Sequence, residues 1–223
     1  MPAESDESDE SVGAAAPAPP SPPLRRLSVA AIGDSLTDAR SGGGGYLAYL
    51  KGHCPESRFD NFGVGGDMLS QMRRRFERDV FGPGHPEYTD LIVFGGVNDL
   101  YSDRSAGRVP KNISADLAWM YAEARRRGLR VTAISVAPWG GFERYHNARR
   151  QAATLELNQW IAQRRAAGTI DHVVDAYALL SCGVPQRLCP AVARPFRDGL
   201  HFGPLGHEKL GRALLEGAFT GCR

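Results

Sequence analysis

No stretch of this 223-residue chain approaches the ~20 consecutive apolar residues that cross a bilayer as a helix, so a helical membrane span is not expected. The basic stretch and apolar core of a signal peptide are also missing after Met1, which is followed by acids, Ser, Ala and Pro. An exported form would have lost its signal from this sequence. No cysteine stands two to four residues from another, the spacing that structural zinc sites usually carry. The glycine run Gly42 to Gly45 lacks a following Gly-Lys-Ser or Gly-Lys-Thr, and it does not match Gly-x-Gly-x-x-Gly opening a helix, so neither nucleotide-binding pattern is present. A mobile rim beside a pocket is the expectation for that run. No Lys or Arg precedes Arg25, whereas Glu4, Asp6, Glu7, Asp9 and Glu10 do. The remainder therefore holds 27 basic against 20 acidic residues, a net +7. Nearly all the basic residues are Arg, as GC-rich coding produces by itself, and no nucleic-acid partner is expected.

What is present is enough for one domain: 42% of the residues are hydrophobic, in a chain too short for two comfortable cores. Residues 1–23 have no apolar periodicity and read as a disordered acidic, Pro- and Ala-rich tail or linker. Residues 24–223 read as the folded domain. Apolar runs at Leu27 to Ile32, Leu91 to Phe94, Val131 to Val136 and His172 to Val174, with a weaker one at Arg58 to Phe62, predict five strands. Between them, Met68, Met72, Phe76 and Val80, and then Ile113, Leu117, Met120, Tyr121 and Ala124, recur at helical spacing; Leu210, Ala213, Leu214 and Ala218 mark a final helix. Alternating strands and helices predict an α/β fold, a three-layer α/β/α sandwich around a mainly parallel five-stranded sheet. Ligand sites in such sheets form beyond the carboxyl ends of the strands, where Ser35, Gly66, Asn98 and Trp139 all fall.

Cys54, Cys182, Cys189 and Cys222 allow three pairings. The turn-rich segment between Cys182 and Cys189 favours that pair and leaves Cys54 with Cys222; four unpaired thiols in a cytosolic enzyme are the alternative.

The chemistry concentrates in four segments. Ser35 follows the first strand at Gly33-Asp34-Ser35-Leu36, and a serine hydroxyl needs a base to become a nucleophile. His201 is the candidate base, because Asp198 precedes it in a glycine-containing turn that lets the carboxylate reach the imidazole. His207 competes but has no such acid, and His53, His85, His146 and His172 are expected in structural roles. Attack on an ester leaves negative charge on the carbonyl oxygen. The Ser35 N–H, the Gly66 N–H and the Asn98 side-chain amide are candidate donors to it, with Gly65 an alternative to Gly66. Taken singly, each segment is as well explained by a turn or a helix cap.

Together, Gly33 to Thr37, Asn61 to Asp67, Gly96 to Asp99 and Asp198 to His201 resemble the four blocks of the SGNH or GDSL hydrolases, over about residues 27 to 217. The resemblance implies a flavodoxin-like sheet, a catalytic Ser35 and His201 with Asp198 as third member, and Gly66 and Asn98 as oxyanion donors. It implies a serine esterase that needs no cofactor and no metal. Family membership does not name the ester. The loop Pro138 to His146 and Tyr101 place aromatic groups near the expected site, which makes Trp139 and Tyr101 candidates for a substrate pocket. Short acyl groups on a carbohydrate are the expected substrate; the alternatives are a lysophospholipase or thioesterase, and a binding protein without turnover. An exported location is favoured over the cytoplasm.

Overall fold

The computed structural model describes residues 24–223, and the acidic tail expected at residues 1–23 lies outside them. Strand β1 (Ser28–Gly33) lies inside the sheet because it is apolar on both faces: every residue after Ser28 is buried. It pairs in parallel with β2 (Arg58–Gly63) on one side and β3 (Asp90–Phe94) on the other. Strands β4 (Arg130–Ile134) and β5 (His172–Val174) extend the sheet in the order β2-β1-β3-β4-β5, with every pairing parallel. Sequence had extended the fourth strand to Val136. It stops sooner because Val136 gives its N–H to the Asn158 side chain and takes a hydrogen bond from the same amide.

The strands alternate their side chains between two layers. Ala30, Ile32, Leu91, Val93, Val131 and Ala133 face a core shared with α2 (Leu69–Phe81), α5 (Pro110–Arg126) and α6 (Ala148–Ala166). Val29, Ala31, Ile92, Phe94 and Ile134 face a second core built on α1 (Gly45–His53) and α9 (Pro204–Gly217). The helical stripes read from the sequence are the buried ones: Met72, Phe76 and Val80 on α2, and Ile113, Leu117, Met120, Tyr121 and Ala124 on α5. The short helices α3 (Val97–Tyr101) and α4 (Asp103–Ala106) follow β3, and α7 (Ala176–Leu180) and α8 (Pro190–Ala193) carry the chain from β5 back to the carboxyl edge of the sheet.

Cys54 is joined to Cys222 and Cys182 to Cys189, with Cα separations of 5.3 and 5.0 Å. The first bond ties the end of α1 to the C-terminal segment, where Arg25 also bridges to Cys222. Among the described residues, no helix is long and apolar enough to cross a membrane.

Candidate active site

Beyond Gly33 the chain turns within four residues, because the Asp34 carbonyl accepts from the N–H groups of Thr37 (3.0 Å) and Asp38 (2.9 Å). The Asp34 carboxylate accepts from the Leu36 N–H at 3.0 Å and so fixes the residue between them. Ser35 is thereby held at the carboxyl end of β1, 8% exposed. The glycine run that follows is not a mobile rim. Gly43 and Gly44 give their N–H groups to the carbonyls of Asp38 and Leu36, both at 3.0 Å, and brace the turn from below.

His201 comes to Ser35 from the other end of the chain. Its Nε2 lies 2.9 Å from Ser35 Oγ, and its Nδ1 lies 2.6 Å from Asp198 Oδ2. The other Asp198 oxygen accepts from the Leu200 and His201 N–H groups, both at 2.9 Å. Burial works to raise the Asp198 pKa, but these bonds from the His201 ring and the two N–H groups outweigh it and hold the carboxyl below its ordinary range. With Nδ1 donating to the carboxylate, Nε2 is left free to accept the serine proton. The turn depends on Gly199: its φ is +74°, and a Cβ there would lie 2.0 Å from the Gly141 carbonyl carbon. The close approach packs the loop after β4 directly on the loop that carries His201.

The Ser35 and Gly66 N–H groups have no hydrogen-bond partner among the described residues. Gly66 is exposed with φ +82°, a conformation that favours glycine. Gly65, the alternative, gives its N–H to Asp38 Oδ2 at 3.1 Å, so its donor is already committed. Asn98 is 3% exposed and uses one amide N–H to hold the Asp67 carbonyl at 2.9 Å. An amide has two such donors, which leaves the second for a ligand.

The frame beneath these groups consists of polar and charged residues to which the sequence reading gave no role of their own. Arg75 projects from the buried face of α2 and donates to Asp67 (2.7 Å), the Phe62 carbonyl (2.7 Å) and the Gly33 carbonyl (2.9 Å). It therefore ties the ends of β1 and β2 to the turn containing Gly66. Asp99, fully buried, accepts from the Leu69 N–H (2.9 Å) and Arg108 (2.7 Å), which joins α3 to the start of α2. Asn61 bonds to the Thr37 carbonyl at 2.6 Å and to the Gly63 N–H at 2.8 Å. Arg75 carried a readable signal, a charge placed on the apolar stripe of a helix.

Asp34 differs from the other carboxylates. It is fully buried, and its second oxygen has no partner. Burial drives its pKa up to about 7; the Leu36 N–H opposes this, while Asp99 and Asp67 add to it.

The aromatic candidates separate. Trp139 is not available to a ligand: it is 1% exposed, and its indole N–H donates to Thr154 Oγ1 at 2.9 Å. This corrects the expectation of a pocket wall, because the large apolar ring gains more by filling the core beneath the loop. Tyr101 is half-buried, packed 5.8 Å from Phe142 and 5.5 Å from Tyr145 between ring centroids. Asp103 holds this loop in place through Arg150, which donates to it at 3.1 and 2.8 Å and also to the Tyr145 carbonyl. His207 is buried away from the row, stacked against Tyr46 and close to Phe202.

The all-parallel α/β sheet thus carries a hydrogen-bonded serine, histidine and carboxylate at its carboxyl edge. The sequence pattern of the GDSL-like Lipase/Acylhydrolase family matches residues 31–209, and the chain belongs to that family. It is a hydrolase acting on esters. Solved structures share the fold. A Bacteroides fragilis protein described as an acylhydrolase is 19% identical, with a TM-score of 0.70 over 88% of each chain. A variant of an acetyl xylan esterase from Geobacillus stearothermophilus is 21% identical, with a TM-score of 0.67 over 87% of this chain and 95% of that one. A lipase/acylhydrolase from Enterococcus faecalis is also 21% identical, with a TM-score of 0.67 over 85% and 94%. No curated protein matches the chain by sequence.

Proposed function

We propose that the chain is a serine esterase that removes short acyl groups, acetyl above all, from a carbohydrate. Ser35 Oγ attacks the ester carbonyl as its proton passes to His201 Nε2. The Ser35 and Gly66 N–H groups and the free Asn98 amide hydrogen stabilise the oxyanion. His201 then gives the proton to the departing alcohol, leaving an acyl-Ser35. Water, deprotonated by His201, attacks that acyl carbonyl; the acid departs and Ser35 regains its hydrogen. Asp198 holds the ring and stabilises the imidazolium in both halves.

The observation that carries this reading is the unbroken row Ser35, His201 and Asp198, at 2.9 and 2.6 Å, beside two unpartnered backbone donors. The short acyl group is supported by the openness of the row, whose His201 and Asp198 side chains are 24% and 38% exposed. A long apolar chain would find little cover there. The carbohydrate is supported by the Tyr101, Phe142 and Tyr145 cluster, since aromatic faces stack on sugar rings, and by the printed activity of the acetyl xylan esterase that shares the fold. Two disulfides support an oxidising, exported setting.

The test is hydrolysis of p-nitrophenyl esters from acetate to palmitate, then of acetylated xylooligosaccharides and lysophospholipids, with Ser35→Ala as the blank. A preference for acetate and release of acetate from the oligosaccharides are expected. A rate that rises with chain length moves the substrate to lysophospholipids or thioesters, and absence of turnover with every ester leaves a binding protein.

A further inference from the structure

The loops and short helices at the carboxyl edge of the sheet carry an uneven charge. Asp38, Asp67, Asp99, Asp103 and Glu143 are each paired with an arginine. Of the other carboxylates there, Asp198 holds His201, Asp175 caps α7 and Asp34 is buried. Arg104, Arg144, Arg194 and Arg197, on the same segments, are exposed and have no carboxylate partner among the described residues. The mouth of the site is left with cations that the chain does not neutralise, and such a mouth draws anions towards it.

Two of these arginines border the groups that react. Arg197 lies in the chain between Phe196, whose ring is 5.7 Å from that of His201, and Asp198, which holds the same ring. Arg144 lies over the ring of Tyr145, 5.4 Å from its centroid. It therefore stands at the edge of the aromatic cluster, in which Tyr145 is 4.7 Å from Phe142 and 5.5 Å from Tyr101. Tyr101 ends α3, the helix that carries Asn98. The two arginine-bearing loops touch, since a Cβ on Gly141 would lie 2.8 Å from the Gly199 Cα. The aromatic faces proposed to take a sugar ring thus have one free guanidinium beside them and a second on the segment that holds the histidine.

A guanidinium stays charged throughout the working pH range and presents a planar fork that matches a carboxylate. A neutral sugar would use the aromatic faces and leave both cations idle. An anionic lysophospholipid would engage the cations but leave its long chain uncovered at a row as open as that of His201 and Asp198. We infer that the ester taken by this site is carried by an acidic carbohydrate, one whose sugar units bear carboxylates, and that Arg144 and Arg197 select it. The inference rests on the reading of the chain as a carbohydrate esterase and adds the charge of the substrate.

The test compares acetate release by the full chain from acetylated oligogalacturonides with release from the same oligomers after reduction of their carboxylates to primary alcohols. At low salt, kcat/KM is expected to favour the acidic oligomers about tenfold or more, through KM, and most of that preference should vanish near 1 M NaCl, where exposed charges are screened. Arg144→Gln and Arg197→Gln each reduce the preference about threefold, as the loss of one exposed ion pair requires, and together nearly abolish it. Arg165→Gln, which removes an equally exposed and unpaired arginine from the last turn of α6, leaves it unchanged. Equal kcat/KM for acidic and reduced oligomers, or an equal loss in Arg165→Gln, refutes selection by Arg144 and Arg197 and leaves the carbohydrate esterase standing. Turnover of p-nitrophenyl acetate or of lysophosphatidylglycerol with neither oligomer deacetylated removes the carbohydrate reading itself, and this inference with it.

Discussion

Replacing Asp34 by Asn should stabilise the protein increasingly as the pH rises. Asp34 sits without solvent contact beside the carboxyls of Asp99 and Asp67, and its pKa goes from the ordinary 3.8 to about 7. A folded-state pKa above the unfolded one means that the native protein holds this proton more tightly. The group's contribution is thus most favourable below pH 3.8 and is lost as the pH rises through 7. At 1.36 kcal/mol per unit, the penalty relative to the acid limit is about 1.7 kcal/mol at pH 5 and about 4 kcal/mol at pH 8. Asn does not titrate, yet its carbonyl oxygen still accepts from the Leu36 N–H. Any fixed cost of the extra amide hydrogens is the same at both pH values and cancels, as do all the other titrating groups when variant and native chain are compared. Urea unfolding at pH 5 and pH 8 should therefore show the stability of Asp34→Asn, relative to native, improving by about 2–3 kcal/mol between the two. A difference that stays constant with pH, or that moves the other way, would show that Asp34 is ionised in the folded protein and that the account of its burial is wrong.

Asn98→Ala removes both the proposed oxyanion donor and the hold on the Asp67 carbonyl, and kcat for p-nitrophenyl acetate should fall about 10²- to 10³-fold with the native circular dichroism spectrum retained. Asp198→Asn should lower kcat by about 10⁴-fold, because an amide in that place no longer selects the His201 tautomer; loss of less than tenfold in the same assay would remove Asp198 from the row. Opening the Cys54–Cys222 bond with the double substitution Cys54→Ser and Cys222→Ser frees a loop of 168 residues, worth about 5 kcal/mol in the chain-entropy description, and should lower the urea midpoint far more than Cys182→Ser with Cys189→Ser, whose loop separation is 7. Equal shifts would contradict that ranking.

The architecture was legible because each layer has its own period. Apolar runs gave four of the parallel strands and the weaker segment Arg58 to Phe62 the fifth, and the stripes on α2 and α5 gave the faces that cover them. The grouping of Ser35, Asp198 and His201 was legible because two of them are neighbours in a turn and the third follows a strand at a glycine. Other features depend on pairings between segments far apart in the chain, which spacing does not reveal. Gly65 and Gly66 are the same residue type side by side; only Asp38, 27 residues before Gly65, decides which N–H is left over. Trp139 looked like a pocket wall because it adjoins the site in sequence, whereas Thr154 on α6 draws its ring inward.

The account rests on Ser35 as the nucleophile. Incubation of the protein with a fluorophosphonate, followed by peptide mass spectrometry, reads this without any knowledge of the natural ester. One covalent adduct on Ser35 is predicted, formed much more slowly in His201→Ala and absent in Ser35→Ala, since the hydroxyl reacts only when Nε2 takes its proton. An unlabelled Ser35 in the folded native chain, or an adduct on another residue with Ser35→Ala still turning over p-nitrophenyl acetate, would contradict it.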